Sequence, residues 1–178
     1  MRDFDERLAD GGTIHVRSVE PADAPGIVAM HSRFSERTRY LRFFGAYPRI
    51  PARDLHRFAN VDHRDREAFV ALVDDHVIAI GRYERLAPGG PDAEVAFVVE
   101  DAHQGRGIAP VLLRALIPAA REAGIGVFIA EVMPGNLAMQ HVFAEAGFAV
   151  TSEFADGIVH VRFPITASAA PVSDADTH

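Results

Sequence analysis

The stretch from Ala93 to Met133 constrains the fold most. Ala93 to Val99 is an apolar run whose one charge is Glu94, the pattern of a strand buried on both faces. It leads into Gln104-Gly105-Arg106-Gly107, and a long helix of about Gly107 to Ala123 follows until Gly124 stops it. Gly126 to Met133 is then a second buried strand. A strand that enters a glycine turn and opens a helix must present that helix's N-terminus beside the strand's end. The free backbone N–H groups there, with about half a unit of positive charge, suit a phosphate or pyrophosphate. A glycine-rich connection that binds nothing has the same local sequence.

The remaining elements follow from period and punctuation. Twelve polar residues form a loose lead-in, and Thr13 to Val19 alternates as a strand. Helical segments are expected after Pro21, with Ile27, Val28 and Met30 as the apolar stripe, from Ser35 as N-cap through Phe44, and at Pro51 to Phe58. Ala68 to Val73 and Val77 to Glu84 form a hairpin across Asp74-Asp75-His76. Asn136 to Ala146 is an amphipathic helix, and Phe148 to Glu153 pairs with Ile158 to Phe163 across Ala155-Asp156-Gly157. The order is β-α-α-β-β-β-α-β-α-β-β. It implies one α/β domain at 13–165, a mixed sheet flanked by helices, with a disordered tail at 166–178. Pro118, inside the long helix, removes the N–H that the Arg114 carbonyl would bond and should bend it.

Composition removes several chemistries. The chain has no cysteine, and its 18 bases are all arginine, so thiolate nucleophiles, sulfur-ligated zinc and every lysine-dependent mechanism are excluded. The P-loop falls with the lysine, and a dinucleotide fingerprint fails because position 110 is proline. Nine histidines include no pair three to five residues apart, so no metal site is expected. A formal charge of −7 argues against nucleic acid. No apolar run reaches the ~20 residues of a membrane span, and the first ten residues hold four acids, so a cytoplasmic protein is expected.

Gln104-Gly105-Arg106-Gly107-Ile108-Ala109, followed 27 residues later by Asn136-Leu137-Ala138-Met139-Gln140-His141-Val142-Phe143-Ala144-Glu145-Ala146-Gly147-Phe148, resembles the GNAT (Gcn5-related) N-acetyltransferases over about Thr13 to Phe163. Ser35 to Phe44, Val61-Asp62-His63 and Ala93 to Phe97 make the chain most similar to the bacterial protein lysine acetyltransferases of the Pat type. The resemblance implies the GNAT fold and acetyl-CoA as donor. Its pyrophosphate would lie on the N–H groups of Gln104, Gly105, Arg106, Gly107, Ile108 and Ala109, and its pantetheine beside Phe97, Val98 and Val99. Asn136 and Phe143 fall at the cofactor arm, and Glu94 matches the general base. The implied acceptor is a protein lysine, with acyl-CoA synthetases as candidate partners; a small amine, or a CoA-binding module without chemistry, remains an alternative. Relatives by this resemblance are often fused to a cyclic-nucleotide-binding or synthetase-like domain, for which 178 residues leave no room.

Glu94 also stands on its own chemistry. As the lone charge of an apolar strand it should be desolvated, which raises a carboxyl pKa toward that of a useful base. A solvent-facing glutamate at a strand entrance is the plain alternative. Many GNAT enzymes carry tyrosine seven residues after the motif asparagine; Phe143 stands there and cannot donate a proton. Residues 31–66 hold nine arginines against four acids, a +5 segment in which Arg39 and Arg42 are expected at the acceptor cleft. His63, oriented by Asp62, is a third candidate there, or else a turn histidine.

Overall fold

The computed structural model describes residues 2–166. In chain order the elements are β1 (Asp3–Arg7), β2 (Thr13–Ser18), α1 (Ala24–Ser32), α2 (Glu36–Phe43), α3 (Ala52–Ala59), β3 (Arg66–Val73), β4 (His76–Arg85), β5 (Asp92–Val99), α4 (Ile108–Glu122), β6 (Val127–Val132), α5 (Leu137–Ala144), β7 (Thr151–Ala155) and β8 (Ile158–Pro164). The strands form one eight-stranded mixed sheet in the order β1-β2-β3-β4-β5-β6-β8-β7. The α/β architecture with helices on a mixed sheet is as the sequence implies.

Strand alternation builds a core on each face. Phe69, Ala71, Val95, Phe97 and Phe128 face α4, whose Leu112, Leu116 and Ala120 are fully buried. Ala68, Val70, Leu72, Ile80 and Val98 face the other way, against Ile27 and Met30 of α1 and Ala59 of α3. Buried on both faces, β3 reads as an unbroken apolar run. Glu94 and Ala96 share the face of Val98, the one that α1, α2 and α3 cover.

Several local expectations need correction. Residues 3–7 are a strand, not part of a lead-in: β1 pairs antiparallel with β2, placing Phe4 opposite Val16. Asp3 and Asp5 lie on the outer face, 3.0 and 2.8 Å from the His15 ring nitrogens. Val28 is 45 % exposed, because helical rotation carries it off the Ile27–Met30 stripe. β7 begins at Thr151 because Phe148 is drawn onto the core, its ring stacked on Phe163 at 5.8 Å. The turn at Asp156-Gly157 has both residues at positive φ (53° and 76°), the type I′ pattern of a two-residue hairpin. α4 continues as a helix through Pro118, and Pro110 lies in its first turn, where no intrahelical N–H bond is lost. The tail expected to be disordered lies, beyond Thr166, outside the described residues.

The feature that shapes the site is where β5 leaves β6. The two run parallel through Asp92↔Val127, Ala93↔Phe128 and Glu94↔Ile129 and then part, β6 continuing beside β8. From Val95 to Val99, β5 has no strand on that side among the described residues. Gly81, opposite Phe97 on β4, fixes the ring beside the gap. A Cβ there would lie 2.7 Å from the Phe97 ring and 3.1 Å from Leu112 Cβ. Gly81→Ala should therefore cost about 1–3 kcal/mol by overpacking. It should also displace Phe97, which urea denaturation together with a crystal structure of the variant would detect.

Candidate active site

The glycine turn between β5 and α4 takes the form its sequence demands. Gly105 (φ 75°) and Gly107 (φ 81°) are both left-handed, and Gly107 caps α4. Nothing lies within 4 Å of a Cβ built on either, so the turn is open toward a groove of about 640 Å³. Thr38 and Leu41 of α2, Phe97 of β5, Ile108 of α4 and Asn136 and Met139 at α5 line that groove. Asn136 caps α5 by accepting from the Met139 N–H at 3.2 Å, which leaves its amide NH₂ available. A helix N-terminus, an unpaired strand edge and a long groove between them can hold an extended ligand with an anionic end. Acetyl-CoA has that form, a diphosphate carrying an amide-bearing arm.

Contacts that local sequence did not reveal hold this turn. Asp101 accepts from the Ser35 N–H (2.9 Å), Ser35 Oγ (2.6 Å) and Thr38 Oγ1 (3.0 Å). Partial burial pushes its carboxyl up, but these donors outweigh it and keep the pKa below the ordinary value. Ser35 caps α2 as expected, accepting from the Thr38 N–H at 3.1 Å. Gln104 Nε2 donates to the Val99 carbonyl (3.0 Å) and to Thr38 Oγ1 (3.1 Å). Arg106 turns away, with Nε 2.5 Å from Asp10 and Nη1 2.8 Å from His103 Nδ1, so only its backbone is offered to the groove. Arg33 binds the buried Glu100 carboxylate with Nε (2.7 Å) and Nη2 (3.1 Å), tying the end of α1 to the end of β5.

Glu94 stands where β5 and β6 part. It lines a small recess with Leu41, Arg42, Phe97, Glu131 and Phe143; Leu41, Arg42 and Phe97 also line the groove. Cross-strand register sets Glu84 directly opposite, but Arg57 and Arg82 engage that carboxylate. Glu94 makes no hydrogen bond or ion pair among the described residues. Enclosure raises its pKa above 4.5, and the Glu131 carboxylate reinforces the rise against the pull of Arg42 and Arg82. The residue is exposed at the recess mouth, so the enclosure is partial.

The other candidates divide. Phe143 is buried against Phe97 and Phe163, with ring centroids 6.1 and 5.7 Å away, and offers shape without a proton. Val98 turns its side chain into the opposite core and can serve the groove only through its backbone. Arg42 lines both groove and recess, but Arg39 does not: its guanidinium caps α1 through the carbonyls of His31 (3.2 Å) and Ser32 (3.5 Å). His63 is not paired with Asp62, whose carboxylate accepts from the Arg64 and Arg66 N–H groups at 3.0 and 2.9 Å. A left-handed backbone (φ 59°) swings His63 onto Glu67 at 3.0 Å, in a separate recess beside Ser18. Nor is the +5 segment a continuous free patch, since Arg33, Arg39 and Arg57 are consumed by internal contacts. Among the described residues no cluster of His, Cys, Asp or Glu could hold a metal ion, and no helix is long and apolar enough to cross a membrane.

A mixed sheet parts beside a glycine-capped helix, and a carboxylate stands at the fork. The sequence profile of the acetyltransferase (GNAT) family matches residues 30–148, and the chain belongs to that family. Acetyltransferase Pat of Mycolicibacterium smegmatis is 35 % identical over 144 residues, 79 % of this chain and 43 % of that protein. The chain thus spans about two-fifths of that relative's length. An acetyltransferase of Pseudomonas aeruginosa is 30 % identical over 147 residues, 80 % of this chain and 78 % of that one. The crystal structure of the GNAT domain of S. lividans PAT matches with a TM-score of 0.85 at 43 % identity, covering 91 % of this chain and 96 % of that chain. The chain is an acetyltransferase domain of the GNAT type and is similar to the GNAT domains of Pat-type proteins.

The left-handed turn supplies a first test. At φ 81°, Gly107→Ala should cost about 1–2 kcal/mol of stability through backbone strain alone. If the turn's N–H groups cradle the diphosphate, coenzyme A affinity should also fall by about tenfold, or 1.4 kcal/mol. Denaturant melts paired with calorimetric titration separate the two effects; lost stability with unchanged affinity would remove the cradle.

Proposed function

We propose that the protein transfers the acetyl group of acetyl-CoA to the side-chain amine of a protein lysine, with Glu94 as general base. The observation that carries this reading is Glu94 itself: an unpaired carboxylate of raised pKa at the fork of β5 and β6. In this reading the N–H groups from Gly105 to Ala109 hold the diphosphate; the Gln104 N–H, expected among them, donates to the Asp101 carbonyl at 3.3 Å instead. The free edge of β5 from Val95 to Val99 hydrogen-bonds the pantetheine arm as an added strand would. Asn136 contributes its free amide, and Phe97 and Phe143 wall the thioester end against water.

A free lysine amine has a pKa of ~10.4 and must shed a proton before it can attack. Glu94, whose pKa partial burial raises, is the carboxylate at the recess proposed to take that proton directly or through one water. Glu131 beside it adds negative potential that draws an ammonium toward the recess. The similarity to Pat-type enzymes supports a protein acceptor, with acyl-CoA synthetases as the first candidates. Arg39 is not part of this acceptor surface.

Glu94→Gln should lower turnover by roughly 10²–10⁴ while leaving acetyl-CoA affinity nearly unchanged. The base works only when ionised, so wild-type kcat/KM should fall as pH drops through an apparent pKa above 4.5, and the variant should lack that limb. Incubation with labelled acetyl-CoA and a cell lysate, read by mass spectrometry, identifies the acceptor. Label on folded proteins supports the lysine reading, whereas rapid turnover of polyamines with no labelled protein would replace it by a small-amine enzyme.

A further inference from the structure

The recess beside Glu94 offers little to an anion. Its side chains include no hydroxyl, thiol or imidazole; Phe143, Met139 and Leu41 are apolar, and Asn136, whose Oδ1 caps α5, offers only a neutral amide NH₂. Arg42 is the exception. It is the one cationic side chain that lines both the recess holding Glu94 and the groove proposed for acetyl-CoA. Its guanidinium makes no hydrogen bond or ion pair among the described residues, resting 4.8 Å over the Phe43 ring. The neighbouring cation, Arg82, is already committed to Glu84 at 3.2 Å and lies 4.7 Å over Phe58.

A guanidinium that no protein acceptor meets, and whose nitrogens still reach solvent, is free to meet an anion that arrives with the ligand. Burial and the nearby Arg82 charge bring the Arg42 pKa down to about 10, while Glu94 works the other way. The group is therefore still a cation at neutral pH. Acyl transfer generates an anion at this place. As the amine nitrogen bonds to the acyl carbon, the carbon–sulfur bond breaks and its electron pair leaves on sulfur. The amine proton goes to Glu94 and from there to solvent or to the sulfur.

We propose that Arg42 is a catalytic residue that stabilises the departing thiolate of coenzyme A, in a site whose Phe143 has no proton to give. This rests on the acetyl-CoA reading above. It separates the arginine's task from that of Glu94: one receives the amine proton and the other receives the sulfur's charge. A cation beside a thiol favours the thiolate and lowers the thiol pKa below its free value.

The test uses coenzyme A itself. Ultraviolet thiolate absorbance, followed against pH in the binary complex, should give a thiol pKa about one unit below that of free coenzyme A, a tenfold shift in the equilibrium. Arg42→Gln should return it to the free value. Arg42→Lys, which keeps a charge, should retain part of the shift and guards against a glutamine variant that fails to fold. Glu94→Gln should not raise the thiol pKa. A bound thiol that titrates like free coenzyme A in the wild-type protein, or equally in wild type and both Arg42 variants, would overturn the assignment. Calorimetry of coenzyme A binding distinguishes the two levels. Binding with an unshifted thiol refutes only the role of Arg42, whereas no binding at all refutes the acetyl-CoA reading.

Discussion

The divergence of two parallel strands after Glu94↔Ile129 is the constraint on which the site depends. In a continuous parallel sheet the edge of β5 would be consumed by β6, and the buried strand could offer nothing to a ligand. Because β6 stays with β8 instead, β5 keeps unpaired backbone groups from Val95 onward, in the middle of the sheet. Such groups are expensive to bury without partners. The fork is therefore tolerable only as a place that water or a ligand can enter. α5 and the ring of Phe143 close it from one side, and α2 closes it from the other. Glu94 occupies the last paired position, so the same event that frees the strand edge also fixes the carboxylate at its root.

Electrostatics follow from that geometry more than from net charge. The chain is acidic overall and strongly basic between residues 31 and 66, yet neither sum describes the site. Arg33 is bound to Glu100, Arg57 to Glu84, and Arg39 to the carbonyls that end α1. What remains at the fork is a short alternation of charges, Glu131, Glu94 and Arg42. Raised acid and lowered base are the expected result of partial enclosure, which penalises both charged forms. Those two groups suit a reaction that removes a proton from nitrogen and deposits negative charge on sulfur.

Much of this was legible in the sequence, and what was not has definite causes. Glu94 was visible because a charge in an apolar strand needs a reason. The turn at 104–107 was visible because glycine at two left-handed positions leaves a local signature. The fork itself has no such signature, since β5 and β6 are both apolar before and after they part. β1 was hidden because Asp3 and Asp5 read as solvated acids until His15 of β2 is set beside them. Arg39 and Arg42, three residues apart on one short helix, are equivalent in sequence; the end of α1 claims the first and leaves the second to the cleft. Likewise, nothing local to Asp62-His63 announces that a left-handed backbone will turn the ring to Glu67.

The turn between β5 and α4 shows why an accessory strand belongs to the site. Three separate segments fasten it: α2 through Ser35 and Thr38 on Asp101, β5 through the Val99 carbonyl on Gln104, and the β1–β2 connection through Asp10 on Arg106. The last contact is close enough that a Cβ at Gly12 would lie 2.2 Å from Arg106 Nη2, so a side chain there would have to push the guanidinium aside. Arg106 thereby fixes the backbone at the centre of the glycine turn without entering the groove. Two glycines would otherwise make this loop the most entropically costly part of the site to order. Fastening it in the free protein moves that cost into folding, so the diphosphate proposed to bind there would meet donors already aligned. The glycines supply the conformation, and Asp10, Asp101 and Gln104 keep the turn in it.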